Sequence, residues 1–161
     1  MSSHPTYTRP SRQRSALMAR VRQRGTSSEL AVRLFLKNRG VPFRTNGRHL
    51  PGRPDLYIST LKIAVFVHGC FWHRHQNCRA STVPKTNVPY WTTKFVENVA
   101  RDRRKARALR VLGYHVFVIW ECQTREMSKL AHALRRLCAV CAKALNEKKT
   151  NRSRKEPVAV L

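Results

Sequence analysis

Apolar positions recur along the chain with two different periods, and the change of period marks out its elements. Thr26-Ser27-Ser28-Glu29 fits a capping box, in which a hydroxyl and a carboxylate each satisfy a free N–H at a helix start. Apolar Leu30, Leu34 and Phe35 follow, and Gly40 predicts the stop. Upstream, Ser15 to Arg24 predicts a short basic helix carrying Leu17, Met18 and Val21, behind a flexible arm with Pro5 and Pro10. Pro51-Gly52-Arg53-Pro54 is a turn. Asp55 to Ser59 and Lys62 to Val67 then read as strands. The second strand is nearly all apolar, from Ile63 to Val67, which predicts burial on both faces. Residues 68–89 are irregular and rich in His, Cys and aromatics. Tyr90 to Leu112 predicts a long helix ended by Gly113, with Phe95, Val96, Val99 and Ala106 on one side. Tyr114 to Trp120 is a further β-rich run, Arg125 to Leu145 a second long helix, and residues 146–161 a disordered tail. This order predicts an α/β layer fold with a mixed sheet. A chain of 161 residues suits one domain, here 25–145, between a basic arm at 1–24 and the tail.

Charge narrows the function. There are 33 Lys plus Arg against 8 Asp plus Glu, a net of +25. Of this, residues 1–24 carry +6 and residues 146–161 carry +3, which leaves +16 on the expected folded body. Such a body repels itself unless it meets a polyanion, and nucleic acid, bound through counterion release, is the expected one. Charge alone fits a ribosomal protein or a condensing protein equally well. No apolar run approaches the roughly 20 residues of a membrane span, and Met1 to Pro10 lacks the apolar stretch of a secretory signal. The expected compartment is the cytoplasm, beside the nucleoid. In that reducing setting the five cysteines suit metal ligation or core packing better than disulfides.

Two clusters carry chemistry. Cys70, His75 and Cys78 lie in one loop, and Cys122 follows at the end of the last strand. One local loop and a distant clamp supply the four N/S ligands that tetrahedral zinc requires, and a loop of about 20 residues needs something to order it. Unrelated buried cysteines and surface histidines are the alternative. Cys138 and Cys141, near Leu134 and Leu137, read as core. The second cluster is Asp55, opening one strand, with His68 at the end of the next and His73 just beyond. A carboxylate beside a main-chain carbonyl suits Mg²⁺, and either His68 or His73 suits a general base or a proton donor. The alternatives are that Asp55 merely caps its turn and that Glu29 merely completes its capping box.

Phe71 and Trp72 stand in the same loop, and Trp91, Lys94, Asn98, Arg101 and Lys105 form a stripe on the first long helix. Aromatics near a basic surface suit wedges that unstack bases, and packing in the core is the alternative. Arg20, Arg22 and Arg24 suit phosphate contacts, with Met18 able to reach a groove.

The blocks LPGRPDLYI, FVHGCFWHRHQNC, YWTTKFVENVARDRR and LGYHVFVIWEC, preceded by SALMARVRQRGTSSEL, resemble the very short patch repair endonucleases over about Arg14 to Cys122. The resemblance implies a restriction-endonuclease-like, three-layer α/β fold with a central mixed sheet flanked by helices and a structural zinc. It implies Mg²⁺ on Asp55 and the main-chain carbonyl of Val67, catalysis by His73 with help from His68, and Glu29 beside that centre. It implies zinc on Cys70, His75, Cys78 and Cys122. The residues Phe71, Trp72 and Trp91 would insert beside a T·G mismatch that Lys94 and Asn98 read. Two departures stand out: the segment after His75 is one residue longer than in the best-known member, and Val67 replaces a familiar threonine. The expected activity is nicking 5′ to the mismatched T of double-stranded DNA, by a monomer, with mismatch-repair proteins as candidate further partners. A noncatalytic, zinc-containing DNA-binding protein is the alternative.

Overall fold

The computed structural model describes residues 12–13 and 24–153; Met18, Arg20, Arg22 and the end of the basic tail lie outside them. Helix α1 (Ser27–Lys37) starts as its sequence predicts. The Thr26 hydroxyl accepts from the Glu29 amide at 3.2 Å, and the Thr26 amide donates to the Glu29 carboxylate at 3.4 Å. Its docked stripe is Ser28, Glu29, Val32, Phe35 and Leu36. Leu30 and Leu34, expected on the apolar face, are 54% and 58% exposed. The stripe of period 3.6 that includes Phe35 passes through Val32 and Leu36, which turns Leu30 and Leu34 outward.

Two-residue β1 (Arg44–Thr45), which the pattern did not mark, pairs antiparallel with β2 (Leu56–Ile58). A single 3₁₀ turn, Ser59–Leu61, returns the chain antiparallel into β3 (Ile63–His68). Helix α2 (Val88–Val111) crosses over, and β4 (His115–Trp120) then pairs parallel with β3. The sheet is therefore mixed, in the order β1-β2-β3-β4. A short 3₁₀ segment, Glu121–Thr124, leads to helix α3 (Met127–Ser153). This helix continues past Leu145, where a disordered tail was expected to begin, because no Gly or Pro interrupts residues 146–153.

Alternation along the strands divides the core in two. Leu56, Ile58, Ile63, Val65 and Ile119 face α1 and α3, packing on Val32, Leu36, Leu130, Leu134 and Leu137. Cys141 is buried in this layer, and Cys138 packs against it. On the opposite face Tyr57, Ala64 and Phe66 meet Leu109 of α2. Burial of β3 from both sides accounts for its unbroken apolar run. Helix α2 is rotated from expectation: Trp91, Phe95, Asn98 and Leu109 are buried, whereas Val96 is 64% exposed.

Candidate active site and metal centre

Parallel pairing of β3 with β4 builds the site, because it brings the carboxyl ends of both strands to one edge. His68 pairs with Trp120. Two residues further on, Cys70 and Cys122 leave the sheet side by side, and the Cys122 amide lies 3.4 Å from the Cys70 sulfur. The antiparallel pairing of β2 with β3 aims Asp55, at the head of β2, towards the same edge. Its amide donates to the Val65 carbonyl at 3.0 Å, and its carboxylate accepts from the Val67 amide at 2.8 Å.

The turn before Asp55 is keyed to α2. Gly52 has φ +74, and a Cβ there would come within 2.7 Å of the Lys105 stem. Both left-handed backbone and close approach demand glycine at this position. Pro54 is fully buried, so the strand head cannot swing. Burial pushes the Asp55 carboxyl above its usual range; the Val67 hydrogen bond opposes this, and the nearby Glu29 carboxylate adds to it. Glu29 itself is 3% exposed and bonded to Arg33 at 3.0 Å. The capping reading of Glu29 and its place beside Asp55 therefore hold together. Two carboxylates near enough to raise each other's charge cost, in so basic a body, suit a hard cation.

Beyond β3, the rings of His68 and His73 stack with centroids 3.9 Å apart and planes 9° from parallel. His68 is buried, which, with the repulsion of His73, lowers its pKa to about 4 and keeps it neutral. His73 is partly exposed, and its Nδ1 meets Asp102 Oδ2 at 2.5 Å. Burial pushes the Asp102 carboxyl up, but its hydrogen bond and charge interaction with His73 more than compensate, and its pKa is lowered. A carboxylate on Nδ1 fixes the ring and leaves Nε2 to exchange a proton with a bound group. Asp102 escaped the reading of the sequence. Its one signal there is an acid alone in the run Arg101-Asp102-Arg103-Arg104-Lys105, which looks like a solvated helix face.

The ligand atoms of Cys70, His75, Cys78 and Cys122 lie within 4.8 Å of one another. His75 Nδ1 stands 3.3 Å from the Cys122 sulfur and 3.6 Å from that of Cys70, and its ring stacks on Trp120 at 4.2 Å. Burial pushes the Cys70 thiol up to about 12, so it is protonated until a cation draws it. Cys78 converges with the other three despite the expected longer segment after His75. The backbone just before Cys78 is left-handed at Asn77, φ 55. Three sulfurs and one imidazole nitrogen converging in this way suit a soft, tetrahedral ion.

Phe71 and Trp72 belong to an aromatic cluster in which Phe71 lies 5.4 Å from Trp91 and 5.2 Å from Phe95. They are half-buried; Trp91 and Phe95 are buried, at 9% and 5% exposure. Asn98 is buried too. Its amide donates to the Trp72 carbonyl at 3.0 Å and its oxygen accepts from Arg101 at 2.8 Å. Lys94 is half-exposed and only loosely paired with Glu97, at 3.9 Å. The expected stripe is thus split: Trp91 and Asn98 point inward behind the loop, while Lys94 and Arg101 stay accessible to solvent.

A strand-head carboxylate, a histidine held by aspartate and a strongly cationic chain together suit an enzyme that cuts nucleic acid. Comparison with known proteins agrees. The family profile "DNA mismatch endonuclease Vsr" matches residues 6–79. The type II nicking enzyme V.XorIIP of Xanthomonas oryzae pv. oryzae is 41% identical over 124 residues, covering 77% of this chain and 90% of the relative. DNA mismatch endonuclease Vsr of Escherichia coli is 39% identical over 117 residues, covering 73% and 74%. The type II nicking enzyme V.NmeAIP of Neisseria meningitidis is 36% identical, covering 77% and 88%. The chain belongs to the Vsr family of DNA mismatch endonucleases. Among the described residues no helix is long and apolar enough to cross a membrane.

Proposed function

We propose that the protein nicks one strand of double-stranded DNA 5′ to the T of a T·G mismatch, leaving a 5′-phosphate. The observation that carries this reading is the meeting of Asp55 with the His73–Asp102 pair at one edge of the sheet; Asp55 and His73 are close enough to influence each other's charge. Asp55 and the main-chain oxygen of Val67 would hold Mg²⁺, whose chemistry there is to polarise the scissile phosphate and make a bound water more acidic. His73, oriented by Asp102, moves the proton through Nε2. His68, neutral and stacked on it, keeps the ring in plane, and Glu29 adds negative charge beside the cation. A side chain at position 67 takes no part in this arrangement, so Val67 serves as well as threonine.

The soft cluster of Cys70, His75, Cys78 and Cys122 fits zinc and has a structural role: it ties the end of β4 to the loop carrying Phe71, Trp72 and His73. Phe71 and Trp72 form the wedge beside the mismatch, where a weakly paired step costs least to open. Lys94 faces the DNA; Trp91 and Asn98 support the loop from below and reach bases only if it opens. A restriction-endonuclease-like fold is the architecture this reading implies. The substrate places the protein in the cytoplasm with the nucleoid, and one chain contains every group named, so a monomer suffices. A purely binding protein would keep the charge, the sulfur cluster and the aromatics, but would need neither Asp55 nor the oriented His73. Nicking of T·G and matched duplexes, with and without Mg²⁺, decides between the two: cutting confined to the mismatch and to Mg²⁺ is expected, and binding without cutting would refute the activity.

A further inference from the structure

A cavity of about 1150 Å³ opens off the candidate catalytic centre, between α2 and the loop of residues 73–81. His68, His73 and Asp102 form one end of it. Its floor is apolar: Phe66, Trp120 and Val118, the last left 37% exposed where α2 does not cover β4. Besides Arg74, which donates to the Ser81 and Thr82 carbonyls, four cations, Arg79, Arg103, Lys105 and Arg110, line it. Among the described residues none of these four side chains makes an ion pair or hydrogen bond, whereas Arg33, Arg125 and Lys129 each hold an acid. The one acid in the lining, Asp102, is engaged with His73.

Apart from the charge of Asp102, which Lys105 feels, these cations around one concavity repel each other until an anion enters. They do not converge on a point. Arg103 and Arg110 are seven residues apart on α2, about 10 Å along its axis, which suits successive phosphates of a chain better than one small anion. We propose that this cavity holds the sugar-phosphate backbone of the scissile strand next to the cut, with Arg103, Lys105 and Arg110 on its phosphates and Val118 and Trp120 against a sugar or base. The inference rests on the proposed function, because it takes His73 to mark the cut.

The test is a coupling measurement between protein and DNA. Affinity is measured without Mg²⁺ for T·G duplexes in which single phosphates near the cut are replaced by neutral methylphosphonates, using the wild type, Arg103→Ala and Arg110→Ala. Both arginines are exposed, and unchanged melting temperatures show that the variants fold. One or two adjacent linkages of the cut strand should cost the wild type about tenfold in affinity when neutralised, yet cost the matching variant almost nothing further. The variant's slope of log affinity against log salt should be shallower by about 1. Equal losses for wild type and variants at every linkage, or coupling confined to the uncut strand, would overturn the subsite. Its failure is separable from that of the activity: a protein that nicks T·G duplexes without this coupling lacks only the subsite, and one that shows the coupling but never nicks refutes only the activity.

Discussion

Two centres share one edge of the sheet and differ in how they are made. The sulfur centre takes three of its four ligands from a loop of nine residues, Cys70 to Cys78, and the fourth from the end of the neighbouring strand. The oxygen centre takes Asp55 from the head of β2, His68 from the end of β3, His73 from the loop and Asp102 from the middle of α2. The first is local with one clamp, so its soft ion would order structure. The second is assembled from four elements, so the finished fold must exist before its chemistry does. Damage to the sulfur centre should therefore appear in stability as well as in activity, and damage to the oxygen centre in activity alone.

The sharpest break comes from Asp55→Ala, which should abolish Mg²⁺-dependent nicking while leaving mismatch binding intact or tighter, since a carboxylate beside the phosphate is lost. Nicking and binding assays on the same preparation check this, and normal cutting by the variant would remove Asp55 from the centre. Cys122→Ser should act the opposite way. Purified wild type should contain about one zinc per chain by elemental analysis; the variant should lose it and melt far lower, because metal and fold are linked. A metal-free protein with an unchanged melting temperature would end the structural role of zinc.

Within the oxygen centre, Asp102→Asn should lower the nicking rate by about tenfold or more, with affinity unchanged or tighter and little change in melting temperature, because it frees the His73 ring and removes a negative charge. An unaltered rate would show that the contact is only a surface ion pair. The aromatic cluster offers a finer comparison. Trp91→Ala should cost about 3–5 kcal/mol of stability and weaken matched and mismatched binding alike. Trp72→Ala should cost less stability and, through lost stacking worth roughly 1–3 kcal/mol, reduce affinity selectively for the mismatch. Equal loss on both duplexes would discard Trp72 as a wedge. The smallest effect should be that of Glu29→Gln, about 1 kcal/mol of stability from the weakened cap, read by melting; the accompanying change in nicking rate measures what its charge adds beside Asp55.

The aromatic cluster also shows where reading the chain falls short. Phe71 and Trp72 stood out as candidates because they interrupt a polar loop. Trp91 and Asn98 were placed on a DNA-facing stripe because they share a helix face with Lys94. Helical periodicity states which residues share a face but not which way that face turns. Packing of Leu109 and Phe95 sets the rotation of α2, and it sends Trp91 and Asn98 inward.

What the chain determined by itself is what depends on near neighbours. The capping box at Thr26, the doubly buried run of β3, the glycine stop at Gly113 and three of the four candidate zinc ligands follow from local backbone satisfaction, side-chain period and loop spacing. Only the tertiary structure decided the rest. The parallel direction and register of β4 on β3 set Cys122 beside Cys70. The rotation of α2 turned Asp102 onto His73 and, among the described residues, left its Arg103, Lys105 and Arg110 without an ion pair around a cavity. These pairings join residues 29 and 52 positions apart, and no local rule links them. They arise where burial of both sheet faces fixes how the layers close, and that is a property of the whole core rather than of any segment.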